Sequence, residues 1–169
     1  QLQPDLVSKI DAKVKTARPG TGYGMTETCG IITNISGDFF VDKPESCGPA
    51  VPTLETKCVD ANGVEVAQGE VGELWVKGGP VIKGYLNRPE ATAESITDGW
   101  LHTGDVARID EDGFIFIVDR VKDMVLRGGE NIYCAEVESV VFKLDGVAEC
   151  SVFGVEDDRL GEEVGIAIF

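Results

Sequence analysis

Between residues 31 and 118 the chain is cut at short intervals by dipeptides that favour tight turns. Asn62-Gly63 separates Thr56-Lys57-Cys58-Val59 from Val64-Glu65-Val66, and Asp112-Gly113 separates Val106-Ala107-Arg108-Ile109 from Phe114-Ile115-Phe116-Ile117-Val118. Such pairs tolerate the positive φ of a two-residue hairpin turn, so each reads as a hairpin between short apolar runs. Gly72-Glu73-Leu74-Trp75-Val76-Lys77 alternates at period two, as a half-buried strand does. This block is β-rich, interrupted by a short helix over Pro89–Ile96 with proline in its first turn.

The two flanks differ. Leu6, Val7, Ile10 and Val14 have helical spacing behind Pro4, so a helix is expected over Pro4–Val14. After Arg120 the pattern becomes β-β-α-β-β. Met124–Arg127 meets Gly128-Gly129 and then Ile132-Tyr133. Val137, Val140, Val141 and Leu144 mark an amphipathic helix over Ala135–Leu144, with Glu136 and Glu138 near its start and Gly146 past its end. Val147–Val155 and Glu163–Phe169 read as strands. Gln1 and the apolar run ending at Phe169 suggest a piece of a longer protein.

Composition narrows the function classes. Of 169 residues, 43% are apolar, enough for a core, while the net charge is -15. So acidic a surface disfavours nucleic acid, yet local amides, a basic residue or a metal can still seat a nucleotide. Five cysteines lack CxxC spacing and suit free thiols in a reducing cytoplasm. No apolar run is long enough for a membrane span. One histidine, His102, leaves no His pair for a metal or a catalytic triad, and neither a Gly-Lys-Ser/Thr phosphate loop nor a Gly-x-Ser-x-Gly elbow occurs.

Four segments carry candidate chemistry. In Gly20-Thr21-Gly22-Tyr23-Gly24-Met25-Thr26-Glu27, bare backbone lies next to a hydroxyl and a carboxylate. It is either a turn with ordinary polar residues or a loop that lets backbone approach a ligand, with Thr26 and Glu27 near a metal-bound phosphate. In Trp100-Leu101-His102-Thr103-Gly104-Asp105, Asp105 either caps the turn into the Val106 strand or takes vicinal hydroxyls. Asp119-Arg120-Val121-Lys122-Asp123 is a solvated linker or a hinge. Gly128-Gly129 is a hairpin turn or a place where a thin ligand passes backbone.

Taken in order, Tyr23-Gly24-Met25-Thr26-Glu27, Gly72-Glu73-Leu74-Trp75-Val76, Gly84-Tyr85-Leu86-Asn87, His102-Thr103-Gly104-Asp105, Asp119–Asp123 and Gly128-Gly129-Glu130-Asn131-Ile132 form one collinear series. The series resembles the adenylate-forming (AMP-binding) superfamily of acyl-CoA synthetases, 4-coumarate–CoA ligases, firefly luciferase and peptide-synthetase adenylation domains. The Gly-Gly-Glu-Asn-Ile form is most similar to the acyl-CoA synthetase branch. The resemblance covers nearly the whole chain from about residue 20 onward.

The resemblance implies a mixed α+β fold. Residues 1–119 would be the last part of the adenylating large domain, including its distorted β-barrel subdomain. Residues 120–169 would be the hinge and the first part of the small α+β domain. It implies a cytoplasmic ATP-dependent acid–thiol ligase of the kind found in fatty acid metabolism, using Mg²⁺ and coenzyme A. Tyr23 and Gly24 would lie by adenine, Thr26 by phosphate, and Glu27 would hold the metal. Gly22, Gly24 and Met25 would border the acyl pocket. Asp105 would take the ribose hydroxyls, with Ile117 and Arg120 near the nucleotide. Lys122 would be the hinge, and Gly128 and Gly129 would line the CoA passage.

The family's phosphate loop, upstream, and its catalytic lysine, downstream, lie outside these residues, so the chain by itself is expected to be inactive. Cys134 stands where many members have proline and reads as a harmless loop substitution. Two alternatives remain: an adenylation domain serving a carrier protein, and an acidic β-rich interaction module without nucleotide chemistry. Fatty and aryl acids both suit the substrate.

Overall fold

The structure, a computed structural model, describes residues 4–14 and 16–169. The chain is mixed α+β and divides into two compact units. One runs through Thr103 and includes Ala107–Ile117; the other comprises Gly104–Val106 and Val118–Phe169.

The first unit opens with helix α1 (Pro4–Lys13), as its apolar spacing predicts. Val7 of this helix is fully buried and forms a small core with Ile35 and Phe40. The glycine-rich run is neither a turn nor a loop. It is strand β1 (Gly20–Met25), antiparallel to β2 (Gly30–Ser36), with a bulge between Tyr23 and Gly24. The spacing of the glycines has a packing reason. A Cβ on Gly22 would come within 2.7 Å of the Thr33 carbonyl oxygen, and one on Gly24 within 2.1 Å of that of Gly30. The close approach of β2 therefore excludes side chains at these positions. Helix α2 (Asp38–Asp42) follows, a short element that the sequence pattern did not reveal.

The main sheet is 6-stranded. It contains β3 (Gly48–Pro49), β4 (Leu54–Val59) and β5 (Val71–Gly78). After helix α3 (Pro89–Ser95) come β6 (Ile96–Thr97), β7 (Trp100–Ile109) and β8 (Phe114–Arg120). Its order is β3-β8-β7-β5-β4, with β6 paired to β7. Leu74 and Val76 of β5, Leu101 and Ala107 of β7, and Ile115 of β8 are all buried in its core. Each large aliphatic side chain so buried contributes about 1.5–3 kcal/mol.

Two expectations about these strands need correction. The hairpin at Asn62-Gly63 is a turn with a single bridge, Val59 to Glu65, and the full partner of β4 is β5. The Asp60 carboxylate accepts the amides of Asn62 (2.8 Å) and Val64 (2.9 Å) and closes the turn, and the Val66 amide donates to the Cys58 carbonyl at 3.0 Å, so the flanks pair only briefly. Secondly, His102–Asp105 lies inside β7 rather than on a turn before it. Gly104 takes φ 72° and lets the strand continue through an irregular backbone step. The Asp112-Gly113 hairpin matches its expectation: Gly113 has φ 81°, and Asp110 Oδ1 accepts the amides of Asp112 and Phe114.

The second unit carries a 4-stranded sheet in the order β10-β9-β12-β11. Its elements are β9 (Val125–Arg127), β10 (Glu130–Ile132), helix α4 (Cys134–Val141), β11 (Cys150–Asp157) and β12 (Gly161–Ile168). Val125, Cys134 and Val152 form its buried core. Helix α4 is shorter than its apolar spacing suggests, and β11 begins at Cys150 rather than Val147. Cys134 is not a loop residue. It is buried at the first helical position, where its thiol donates to the Asp123 carbonyl at 2.8 Å. Proline is also well accommodated at a first helical position.

Candidate functional site

The candidate residues fall into two groups, one in each unit. In the first unit, β1 ends at Met25 and passes into a 3-10 turn, Thr26–Thr28. Thr28 organises that turn. It is 1% exposed, and its hydroxyl lies 3.0 Å from the Met25 carbonyl and 2.9 Å from that of Gly30. Buried Thr33 on β2 donates to the Cys47 carbonyl at 2.6 Å and accepts the Tyr23 amide at 3.2 Å. These bonds fix the backbone on which Tyr23, Thr26 and Glu27 are displayed.

A shallow groove of about 600 Å³ runs along this edge, lined by Gly22, Tyr23, Gly24, Met25, Thr26 and Ile31 among others. Tyr23 and Met25 are half-buried against the main core, whereas Gly22, Gly24 and Thr26 are exposed. Glu27 is half-buried, and its carboxylate Oε1 accepts the hydroxyl of Tyr85 at 2.8 Å. The hydrogen bond to Glu27, with burial, raises the Tyr85 pKa. The Ile82 amide donates to the Glu27 carbonyl at 2.8 Å, so main chain and side chain are both held from residues 82–85.

Among the described residues no three His, Cys, Asp or Glu side chains gather as a metal cage. One carboxylate beside the exposed Thr26 hydroxyl is a sparse set of hard oxygen donors. That set suits Mg²⁺, which keeps waters and takes further oxygens from phosphate.

In the second unit, Asp105 and Arg120 come together across a gap of fifteen positions in sequence, with Arg120 Nε 3.3 Å from Asp105 Oδ1. The aspartate side chain is 15% exposed and the arginine 69%, so a largely buried acid faces a solvent-exposed guanidinium. The Val121 amide donates to the Gly104 carbonyl at 2.9 Å and closes this corner. Asp119 is a residue that sequence reasoning left as part of a linker. It is 9% exposed; its Oδ1 accepts the Arg120 amide at 2.8 Å and its Oδ2 the Ala135 amide at 3.2 Å. The residue before α4, Tyr133, makes no side-chain cap bond, so Asp119 caps that helix from outside it.

The other candidates are placed as follows. Lys122 is exposed and lines, with Asp119, Cys134, Glu138 and Glu162, a polar cavity of about 540 Å³ within the second unit. Glu138 does not merely complement the helix dipole: its carboxylate accepts the Val152 amide at 2.8 Å. Gly128 and Gly129 have φ 59° and 92° and form the turn between β9 and β10. Ile117 packs, partly buried, against the main core of the first unit. His102 stacks on Trp75 with ring centroids 3.9 Å apart. Tyr85 lies in a motif visible in the sequence, but nothing local signals its bond to a residue 58 positions away.

The AMP-binding enzyme family model matches residues 1–86. A long-chain-fatty-acid–CoA ligase of Salmonella typhimurium is 48% identical over 147 residues, covering 87% of this chain and 26% of that protein. A feruloyl-CoA synthase of an Amycolatopsis species is 46% identical over 147 residues, covering 87% of this chain and 30% of that protein. Among solved structures, O-succinylbenzoate coenzyme A synthetase of Bacillus subtilis in complex with ATP and magnesium ion superposes with a TM-score of 0.87 at 38% identity. That match covers 99% of this chain and 34% of the other. The chain thus spans about a quarter to a third of the length of these proteins. The mixed α+β fold is that of the adenylating enzymes. On the family match over half its length and these identities, the chain belongs to the AMP-binding enzyme family.

Proposed function

We propose that this chain is a segment of an AMP-forming acyl-CoA synthetase, which activates a carboxylic acid with ATP as an acyl-adenylate, releasing pyrophosphate, and transfers the acyl group to the thiol of coenzyme A, releasing AMP. The observation that carries the reading is the Glu27 carboxylate, pinned by Tyr85 at 2.8 Å beside the groove of β1. The similar proteins named as CoA ligases support it.

In this reading Glu27 would hold Mg²⁺, and Thr26 would donate its hydroxyl to phosphate. The metal, when bound with the nucleotide, offsets phosphate charge as the carboxylate attacks. Tyr23 and Gly24 border adenine, while Gly22, Gly24 and Met25 wall the acyl group. Asp105 accepts the ribose hydroxyls. Arg120, held by Asp105 in this structure at 3.3 Å, exchanges part of that contact for the nucleotide. Ile117 packs near the nucleotide.

Residues 1–119 belong to the large domain and 120–169 to the small one. Lys122 is the pivot, and Gly128 and Gly129 border the CoA passage. Rotation about the pivot exchanges adenylating groups for thioester-forming ones. The relatives named for a long-chain fatty acid and a feruloyl group motivate a panel of fatty and aryl acids.

ATP–pyrophosphate exchange by the full-length protein, run against that panel, tests the reading. Exchange with at least one acid is expected, and Glu27→Gln should lower it by about a hundredfold or more. Absence of exchange with every acid would sink the proposal. Comparing free CoA with a phosphopantetheinyl carrier protein as acceptor identifies the thiol. The 169-residue chain alone is expected to form no thioester.

A further inference from the structure

Glu27 sits in a three-residue 3-10 turn, too short to hold a side chain by its own packing. A glutamate has three side-chain torsions, and fixing them at the moment of ligand binding costs affinity. The structure removes that freedom from outside. Tyr85 Oη donates to Glu27 Oε1 at 2.8 Å, and the Ile82 amide donates to the Glu27 carbonyl at 2.8 Å.

Tyr85 is itself held on two sides. Its amide donates to Thr92 Oγ1 at 2.9 Å, and the Thr92 hydroxyl lies 2.9 Å from the Arg88 carbonyl, which fixes α3 against this segment. Gly84, just before it, has φ 151° and no space for a Cβ, which would meet Thr92 at 2.6 Å. Residues 82–92 therefore form a braced arm whose tip is a phenol hydroxyl aimed at one carboxylate oxygen.

We propose that Tyr85 is a positioning residue for Glu27: its hydroxyl occupies Oε1, fixes the plane of the carboxylate and leaves Oε2 to the metal of a metal–nucleoside triphosphate. The proposal rests on the reading that Glu27 holds the metal. The chemistry is that of a ligating carboxylate oriented by a hydrogen bond. Loss of such a partner typically costs about 10- to 100-fold in metal affinity. With phosphate oxygens sharing the metal, the effect here belongs at the lower end of that range.

The test uses the full-length protein with Tyr85→Phe, Glu27→Gln and the double variant. Mn²⁺–ATP binding is read by electron paramagnetic resonance, the Mg²⁺ dependence by pyrophosphate exchange, and folding by thermal melting. Tyr85→Phe keeps the ring and should leave the melting temperature and metal-free ATP binding unchanged. It should weaken Mn²⁺–ATP binding about tenfold and raise the half-saturating Mg²⁺ concentration by a similar factor.

In the Glu27→Gln background, Tyr85→Phe should have no further effect on metal binding, because the group it orients is gone. An equal effect in both backgrounds overturns the proposal, since Tyr85 would then act independently of Glu27. Unchanged Mn²⁺–ATP binding in Tyr85→Phe, with a clear loss in Glu27→Gln, overturns the role of Tyr85 and leaves the metal role of Glu27 standing. If Glu27→Gln binds Mn²⁺–ATP as the natural protein does, the reading of Glu27 fails and the proposal falls with it.

Discussion

Substituting Asp119 by alanine should loosen helix α4 and its approach while leaving the main sheet intact. The carboxylate is 9% exposed and accepts two amides, from Arg120 at 2.8 Å and Ala135 at 3.2 Å. Loss of an N-cap acceptor costs about 0.5–2 kcal/mol. The bond to Ala135 is long and the bond to Arg120 joins sequence neighbours, so the cost belongs in the lower half of that range, about 1 kcal/mol.

Tryptophan fluorescence would miss the change, because Trp75 and Trp100 both lie in the first unit. Amide hydrogen exchange by mass spectrometry resolves it. Peptides covering 134–141 should exchange about fivefold faster, the equivalent of about 1 kcal/mol in opening free energy, while peptides covering 71–78 stay unchanged. Asp119→Asn retains one acceptor oxygen and should lie between the two. If exchange over 134–141 in Asp119→Ala stays within about twofold of the natural chain, the capping argument is refuted.

Cysteine labelling should follow burial: Cys29 is exposed, whereas burial first and then the Glu65 charge push the Cys58 thiol up to about 11. Iodoacetamide at mildly alkaline pH should modify Cys29 first and leave Cys58 unmodified in the folded chain, as peptide mass spectrometry would show. The Asp60 carboxyl is held below the ordinary aspartate value by the Val64 and Asn62 amides. Its contribution to stability is therefore complete above the ordinary value and lost as pH falls through the lowered one; a carbon-detected titration should give a depressed midpoint, and an ordinary one would contradict the turn geometry. Leu74, fully buried in the main core, should cost about 2–5 kcal/mol when replaced by alanine, measured by urea unfolding. Gly24→Ala should destabilise β1 through a 2.1 Å clash with the Gly30 carbonyl, seen as faster exchange over residues 20–36.

Much of this protein is written locally. Period two over residues 72–77 became β5, the apolar spacing behind Pro4 became α1, and Asp112-Gly113 and Gly128-Gly129 turn where glycine accepts a positive φ. These features depend on torsional preference and on which face meets the core, and both are carried by near neighbours in sequence. The ordered motifs likewise carried the family. What failed locally failed for want of a partner. Asn62-Gly63 has the composition of a hairpin turn, yet its flanks share only the Val59–Glu65 bridge, and the long partner of β4 is β5, farther along the chain. The glycines of β1 looked like room for a ligand, and only the nearness of β2 shows that its carbonyls also exclude a Cβ there. The bonds from Tyr85 to Glu27, and from Asp119 to Ala135, span 58 and 16 positions. A hydrogen bond between such residues is decided by the paths of whole strands and helices. Sequence alone therefore determined most of the elements and which reactive groups are present, while tertiary structure decided which group holds which.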